Sequence, residues 1–154
     1  MFIVLGFYKF KKLKSLRLNK DILQKSFKKY NVRGTLIISN EGLNGTISGK
    51  LKDINNIRKK IKILFKINNF DSQNLSNSNF QPFHRHKIKI KKEVVPMDLN
   101  IYPKFKKNSY LEPSKWNKII KNKDTLVLDV RKPFEYEIGS FKKSINPKVK
   151  NFRD

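Results

Sequence analysis

The sequence of 154 residues contains no cysteine and no alanine, and it has only 12 acidic residues against 36 Lys and Arg. The lack of cysteine excludes disulfides, thiolate metal sites and a cysteine nucleophile within these residues. The apolar run MFIVLGFYKF is too short to span a bilayer, and its basic residues follow the apolar part, unlike those of a signal peptide. We therefore expect a cytoplasmic protein with no membrane partner.

The excess of basic residues gives a formal net charge of +24. A charge of this size suggests an anionic partner, most often nucleic acid. The composition supplies a second explanation, because 30 Lys, 17 Asn and 17 Ile against 6 Arg are typical of AT-rich coding sequence. In such a sequence lysine accumulates on every tolerant surface. Both explanations stay open, and the arginines are the sharper evidence for RNA because AT bias disfavours them.

The hydrophobic pattern of residues 1–95 predicts a β-α-β-β-α-β order of elements, with the second strand buried. This order is typical of the ferredoxin-like α+β sandwich, in which two helices cover one face of an antiparallel sheet. Asn19 and Asp53 are predicted to cap the two helices. The Asn- and Ser-rich residues 68–82 are predicted to form a loop. The predicted strands are residues 2–10, 35–39, 46–48 and the alternating segment around Ile88 and Ile90, and the helices are residues 19–30 and 54–64.

The segment NEGLNGT between the second and third predicted strands contains Asn44-Gly45, a strong signal for a tight turn. Backbone N–H groups in such a turn are able to cradle a phosphate. An ordinary hairpin explains the same residues, so the phosphate contact stays an open alternative.

Residues 113–154 have a different pattern from the rest of the chain. Pro113 and Pro133 each predict the start of a short helix. Between them the apolar run TLVLDV predicts a buried parallel strand that ends in Asp129. One strand and two short helices are too few to close a core. We therefore expect a first domain over residues 1–95, a linker over 96–112 and a partial domain over 113–154.

Several short blocks, spread in order along nearly the whole sequence, form a recognisable set. They are Val32-Arg33-Gly34-Thr35-Leu36, Glu41-Gly42-Leu43-Asn44-Gly45-Thr46, Pro82-Phe83-His84-Arg85, Lys91-Lys92-Glu93-Val94-Val95, Leu111-Glu112-Pro113 with Trp116-Asn117, Leu128-Asp129-Val130-Arg131 and Glu135-Tyr136-Glu137-Ile138-Gly139. Together these blocks resemble the rhodanese-domain family of bacterial tRNA uridine hydroxylases. The resemblance implies an acylphosphatase-like, ferredoxin-like domain followed by the first part of a rhodanese-like α/β domain.

The resemblance implies oxygen-dependent conversion of the wobble uridine, position 34 of tRNA, to 5-hydroxyuridine. It implies the tRNA anticodon loop as partner and molecular oxygen as co-substrate. No other cofactor is evident from the residues, and we expect no metal. The family's reactive cysteine lies in a loop beyond the Asp-Val-Arg strand, and this sequence ends at Asp154 before that loop. No catalytic residue is therefore assigned, and the sequence is either truncated or a decayed relic. The alternative function is a non-catalytic RNA-binding module.

Two sets of residues are candidates for functional roles. By resemblance Asp129, Arg131 and Glu135 support the active site, and a local Asp–Arg pair that only holds a turn is the alternative. His84 and His86 share one strand face but lack a third ligand nearby in sequence, so we predict no metal site. Aromatic residues beside cations commonly bind single-stranded RNA. The candidate RNA contacts are Arg33, Asn44, Arg85, Lys87, Lys89, Lys91 and Lys92, with Tyr8, Phe10, Phe80 and Phe83 as stacking surfaces.

Overall fold

The computed structural model describes residues 1–95 and 111–149, and the chain divides into two units, Met1–Val95 and Pro96–Asp154. The first unit forms a mixed sheet with strand order β4-β1-β3-β2-β5, in which β5 runs parallel to β2 and the other neighbours are antiparallel. This arrangement confirms the ferredoxin-like class. The elements are β1 (Phe2–Phe10), α1 (Leu16–Lys29), β2 (Arg33–Ser39), β3 (Gly42–Gly49), α2 (Leu51–Leu64), β4 (Ser72–Ser78) and β5 (His86–Ile90).

The fourth strand of the β-α-β-β-α-β unit is β4, so the prediction of a loop over residues 68–82 is wrong. This strand pairs antiparallel with β1 and forms one edge of the sheet, where Asn and Ser side chains remain exposed to water. The strand predicted around Ile88 is present as β5, but it is a fifth strand at the opposite edge. Ile88 and Ile90 lie opposite the core residues Leu36 and Ile38 and share their side of the sheet, but Ile90, near the end of this edge strand, is 39% exposed.

The chain reverses between β2 and β3 at residues 40–41, so the predicted turn at Asn44-Gly45 is wrong. Both residues lie inside β3, in the register that buries Leu43. Gly45 is needed there for close packing, because a Cβ atom would lie 3.0 Å from Leu36 Cδ1 and 3.2 Å from Phe7 Cζ. The sheet register therefore overrides the local turn preference.

Both helices of the first unit begin before their predicted caps. The N-cap residues are Ser15 and Lys50, and neither makes a side-chain capping hydrogen bond. Asn19 lies buried within α1 and donates a hydrogen bond from Nδ2 to the Lys14 carbonyl at 3.1 Å. Asp53 lies in the first turn of α2, where the helix dipole favours a carboxylate. The acidic residue is thus close to its predicted place but not in the predicted role.

The hydrophobic core lies between the two helices and one face of the sheet. Leu23 and Phe27 of α1 and three isoleucines of α2 are essentially fully buried against the strands. The central strands contribute Leu5, Leu36, Ile38, Leu43 and Ile47. The other face of the sheet carries no helix of this unit. Across the described residues, no helix combines the length and the apolar character needed to cross a membrane.

The second unit contains the two predicted short helices, α3 (Pro113–Ile119) and α4 (Pro133–Ile138). The predicted buried strand over residues 125–130 is wrong: the segment does not form a strand, and its Leu126 and Leu128 side chains are 63% and 57% exposed. The segment makes one isolated parallel bridge, between Leu128 and Ile145. Within residues 111–149 the buried side chains are the polar Asp129, Ser144 and Asn146. The described part of this unit therefore has no apolar core.

Candidate nucleic-acid interface

The face of the sheet that carries no helix of the first unit is the candidate site, and we call it the open face. Residues paired directly across neighbouring strands project to the same side of a sheet. Tyr8 of β1 pairs with Asn44 of β3, Asn44 pairs with Ile37 of β2, and Ile37 pairs with Lys89 of β5. The core residues occupy the alternate positions of the same strands. One row of aromatic, amide, aliphatic and cationic side chains thus crosses the open face.

Aromatic and cationic side chains lie on different strands of the open face. The aromatic residues are Phe2, Tyr8 and Phe10 of β1, and the Tyr8 and Phe10 rings meet edge-on at 5.9 Å between centroids. The cations are Arg33 of β2, opposite Ser48 of β3, and Lys87 of β5, opposite Thr35 of β2, together with Lys89. Ring surfaces at the centre of a sheet with cations along one side offer stacking to bases and attraction to phosphates.

The structure brings some of the predicted RNA contacts together and leaves others apart. Arg33, Asn44 and Lys87 share the open face with Lys89. Arg85 precedes β5, where its carbonyl accepts a hydrogen bond from the Gly34 amide at 3.0 Å. Lys91 follows β5 and donates its amide to the Ile38 carbonyl at 3.0 Å, and Lys92 lies one residue further.

The four predicted stacking residues divide in the same way. Tyr8 and Phe10 belong to the open face through β1. Phe80 lies outside the strands and is 69% exposed, and Phe83 is half-buried in the segment before β5.

Sequence reasoning missed the polar side chains that complete the open face. Asn74 of β4 pairs with Gly6, Gly6 pairs with Thr46, and Thr46 pairs with Thr35. The signal in β1 was weak because both of its faces are apolar or aromatic, so no alternation of polarity marked the solvent side. The signal in β4 was hidden because an exposed edge strand needs no apolar residues.

His84 and His86 do not form a metal centre with other ligands among the described residues, where no group of three or more His, Cys, Asp and Glu side chains comes together. The His86 ring packs at 6.4 Å from the ring of Phe27, which lies in the core. The contact gives His86 a packing role at the start of β5.

Asp129 and Arg131 form a bidentate ion pair in the second unit. Arg131 Nε donates to Asp129 Oδ1 at 2.9 Å, and Arg131 Nη2 donates to Oδ2 at 2.5 Å. Nη2 also donates to the Gly139 carbonyl at 2.7 Å. The guanidinium therefore ties the end of the extended segment to the residue that follows α4.

Asn146 and Glu135 fasten the loops around this pair. Asn146 Nδ2 donates to the carbonyls of Asp129 at 2.8 Å and of Arg131 at 2.7 Å. Glu135, in the first turn of α4, accepts a hydrogen bond at Oε2 from the Lys132 amide at 3.2 Å. Tyr136 Oη donates to the Ser144 carbonyl at 2.7 Å. Each of these side chains is thus engaged in a hydrogen bond to a backbone group of the same unit, which fixes the positions of the loops.

The hydrogen bonds from Arg131 hold the pKa of the Asp129 carboxyl below its ordinary value of 3.8, against the opposing effect of burial. A carboxyl with a lowered folded-state pKa stabilises the fold above its unfolded pKa, and this contribution is lost as pH falls through the lowered value. We expect the Arg131 amide, which donates to Asp129 Oδ1 at 3.1 Å, to report this change below pH 3.8 in an NMR titration.

The Asp129→Asn variant should abolish that acid transition in the Arg131 amide. The matched control is Glu137→Gln, which removes an exposed carboxylate from the same unit and should leave the transition intact. An unchanged transition in Asp129→Asn would show that another group causes it.

The first unit is a ferredoxin-like sandwich with an open face of aromatic and cationic residues. The family described as "UPF0176 acylphosphatase like domain" matches residues 2–94, and the chain belongs to this family. A curated relative, "tRNA uridine(34) hydroxylase" from Pelagibacter ubique (strain HTCC1062), is 60% identical over 154 residues, which are 100% of this chain and 51% of the relative. The resemblance drawn from the sequence blocks is thereby confirmed. The chain spans about half the length of that relative.

Two solved structures are also similar to the chain. One is an acylphosphatase from Bacillus subtilis, with 11% identity and a TM-score of 0.42, covering 58% of this chain and 99% of that one. The other is an acylphosphatase from Coxiella burnetii, with 9% identity and a TM-score of 0.39, covering 57% of this chain and 90% of that one.

Proposed function

We propose that this chain is part of an enzyme that hydroxylates the wobble uridine of tRNA to 5-hydroxyuridine. The observation that carries the proposal is the 60% identity, along the whole chain, to a relative named as a tRNA uridine(34) hydroxylase. The substrate is then the anticodon loop of tRNA, the co-substrate is molecular oxygen, and the site of action is the cytoplasm. The target base is already unpaired in such a loop, so little energy is needed to expose it.

The open face is the part of the chain that we expect to hold the RNA. Single-stranded RNA binds sheet surfaces whose aromatic side chains stack on bases while nearby cations contact phosphates. Tyr8 and Phe10 supply rings on β1, and Arg33 with Lys87 and Lys89 supplies charge on β2 and β5. Asn44 lies between the two groups and offers an amide for base edges.

Asp129, Arg131 and Glu135 act in this proposal as positioning residues and not as catalytic ones. Their hydrogen bonds run to each other and to the backbone of the same unit. They support the first part of a rhodanese-like domain by fixing the loops at the end of residues 125–130. The catalytic thiol of the family has no counterpart here, because the sequence contains no cysteine.

The test is the amount of 5-hydroxyuridine in tRNA from a hydroxylase-deficient host that expresses residues 1–154. We expect no modification from this chain alone and recovery from the full Pelagibacter ubique relative under the same promoter. Recovery by the chain alone would show that the absent thiol is not required and would overturn this view of the chemistry.

A non-catalytic RNA-binding module is the second candidate function, and the open face together with the absence of cysteine favours it. Both functions predict tRNA binding that weakens steeply with salt, since each phosphate contact releases bound counterions. They differ in the amount of 5-hydroxyuridine in tRNA when the chain is lost from its own cell. The enzyme function predicts a lower amount, and the binding module predicts no change. If the chain binds no tRNA at low salt and yields no 5-hydroxyuridine, neither function holds for this chain by itself, as expected of a decayed relic of the enzyme.

A further inference from the structure

The two edges of the sheet in the first unit differ in charge. At one edge β5 carries Lys87 and Lys89, and edge strands commonly carry lysine because its charge opposes pairing with another chain. At the other edge β4 carries no charged side chain. This strand lies within residues 72–83, the longest stretch of the sequence without Asp, Glu, Lys or Arg. Of the two edges, that of β4 therefore lacks the usual protection against strand pairing.

The backbone of β4 bonds to β1 through alternate residues. The Tyr8 carbonyl accepts a hydrogen bond from the Asp71 amide at 3.0 Å, and the Phe10 amide donates to Asp71 Oδ2 at 2.7 Å, so both groups point towards β4. The even-numbered residues of the two strands thus form the hydrogen-bonded pairs. The N–H and C=O groups that point away from the sheet are those of Gln73, Leu75 and Asn77. No described strand pairs with them, because β4 is the last strand of the sheet.

These outward groups are arranged symmetrically about Leu75, the middle residue of β4. A second β4 strand, antiparallel and related by a twofold axis at Leu75, would lie with Leu75 opposite its own copy and Gln73 opposite Asn77. Every outward residue would then belong to a hydrogen-bonded pair, in which both residues exchange N–H···O bonds. The free edge of β4 is therefore self-complementary, as a twofold interface requires.

The side chains at this edge also suit a second copy of the same strand. Leu75 lies opposite the core residue Leu5 of β1 but is 52% exposed, so a second Leu75 beside it would remove apolar surface from water. Gln73 and Asn77 share that side of the sheet, and their amides both donate and accept hydrogen bonds. Two chains of net charge +24 would pair here without placing lysine opposite lysine, unlike at the β5 edge.

We propose that β4 pairs antiparallel with β4 of a second copy of this chain, in the register that places Leu75 opposite Leu75. The twofold axis of such a pair is perpendicular to the sheet, so the open faces of the two copies lie on the same side. A pair of seven-residue strands forms a small interface, and we expect a dissociation constant in the micromolar range. This inference does not depend on the proposed function.

The test is sedimentation equilibrium of the full chain over a concentration series at about 0.3 M salt, which screens the net charge. We expect a monomer–dimer equilibrium. Leu75→Lys and Leu75→Glu should each weaken the dimer roughly tenfold or more, because like charges then face each other at the twofold axis. An equal mixture of the two variants should restore the dimer, since Lys then faces Glu. The matched control is Leu18→Lys, which adds the same charge on α1 at a residue that is 62% exposed.

Hydrogen exchange distinguishes this edge from the exposed apolar side chains of the second unit. As the concentration rises through the dissociation constant, exchange should slow several-fold at the outward amides of Gln73, Leu75 and Asn77. The amides of Asn74 and Ser76 should keep their rates, because they already bond to β1.

A monomer at every concentration, or a dimer that both Leu75 variants leave intact, would overturn the proposal. A mixture of the two variants that fails to dimerise would do the same, as would slower exchange at residues 126–130 in place of β4. Slow exchange of the outward amides at every concentration would mean that another segment of the chain covers the edge, and it would refute the pairing of two copies.

Discussion

Replacing Arg33, Lys87 and Lys89 with glutamine is expected to lower the affinity for tRNA roughly thirty- to hundredfold near 0.1 M salt. The three side chains lie on β2 and β5 of the open face, within a few strand spacings of the Tyr8 ring. Each lost phosphate contact should reduce the slope of log affinity against log salt by about 0.7 for single-stranded RNA. The variant should therefore show a slope smaller by about two units, measured by filter binding over a salt series.

The matched control replaces Lys25, Lys28 and Lys59 with glutamine. These lysines are exposed on α1 and α2, which cover the other face of the sheet, and the change in net charge is the same. The control should change the slope by far less than the open-face variant. Equal losses in the two variants would mean that the charge acts through the whole surface, as expected if the lysines reflect codon bias alone.

Gly34→Ala is expected to destabilise the first unit by about 3 kcal/mol or more. Gly34 has a φ of +119°, which side chains rarely adopt, and a Cβ atom there would lie 2.2 Å from the Thr46 carbonyl oxygen and 2.7 Å from Ile47 Cα. Both neighbours are backbone atoms of β3 and are unable to move without breaking the sheet. For a unit that spans Met1–Val95 the loss corresponds to a decrease in Tm of roughly 12–24 °C.

Gly6→Ala is the control for Gly34→Ala, because Gly6 lies in the same sheet and a Cβ atom would approach only Thr46 Oγ1, at 3.9 Å. We expect its free energy of unfolding to stay within about 0.5 kcal/mol of the unsubstituted protein. Thermal unfolding followed by circular dichroism measures both variants. A Gly34→Ala protein as stable as Gly6→Ala would contradict the register of β2 against β3.

The elements that bury apolar side chains with a clear period were predictable. Leu23 and Phe27 marked the buried face of α1, and Ile54, Ile57 and Ile61 marked that of α2. The helix starts were less predictable, because Asn19 and Asp53 have the chemistry of caps but lie inside the helices. Packing, and not capping, decided where these helices begin.

The candidate site was only partly predictable. The cations of β5 were found from the alternation of Lys and Ile, and Arg33 was found because arginine is scarce in this composition. These cations lie on the same face of the sheet as Tyr8 and Asn44 because of strand pairing between residues that are far apart in sequence. The partner of Asp129 was evident locally, since Arg131 is two residues away, but the hydrogen bonds of Asn146 to this loop were not.

By itself the sequence determined the ferredoxin-like class, the family resemblance, the absence of a thiol and the excess of positive charge. These properties follow from composition, local periodicity and short motifs, which need no knowledge of distant contacts. Only the tertiary structure decided that Ser72–Ser78 is a strand, that Asn44-Gly45 lies within β3, and which charges meet the aromatic rings. Strand order and register depend on pairing across the sheet, where backbone hydrogen bonds and burial of the opposite face outweigh local preference.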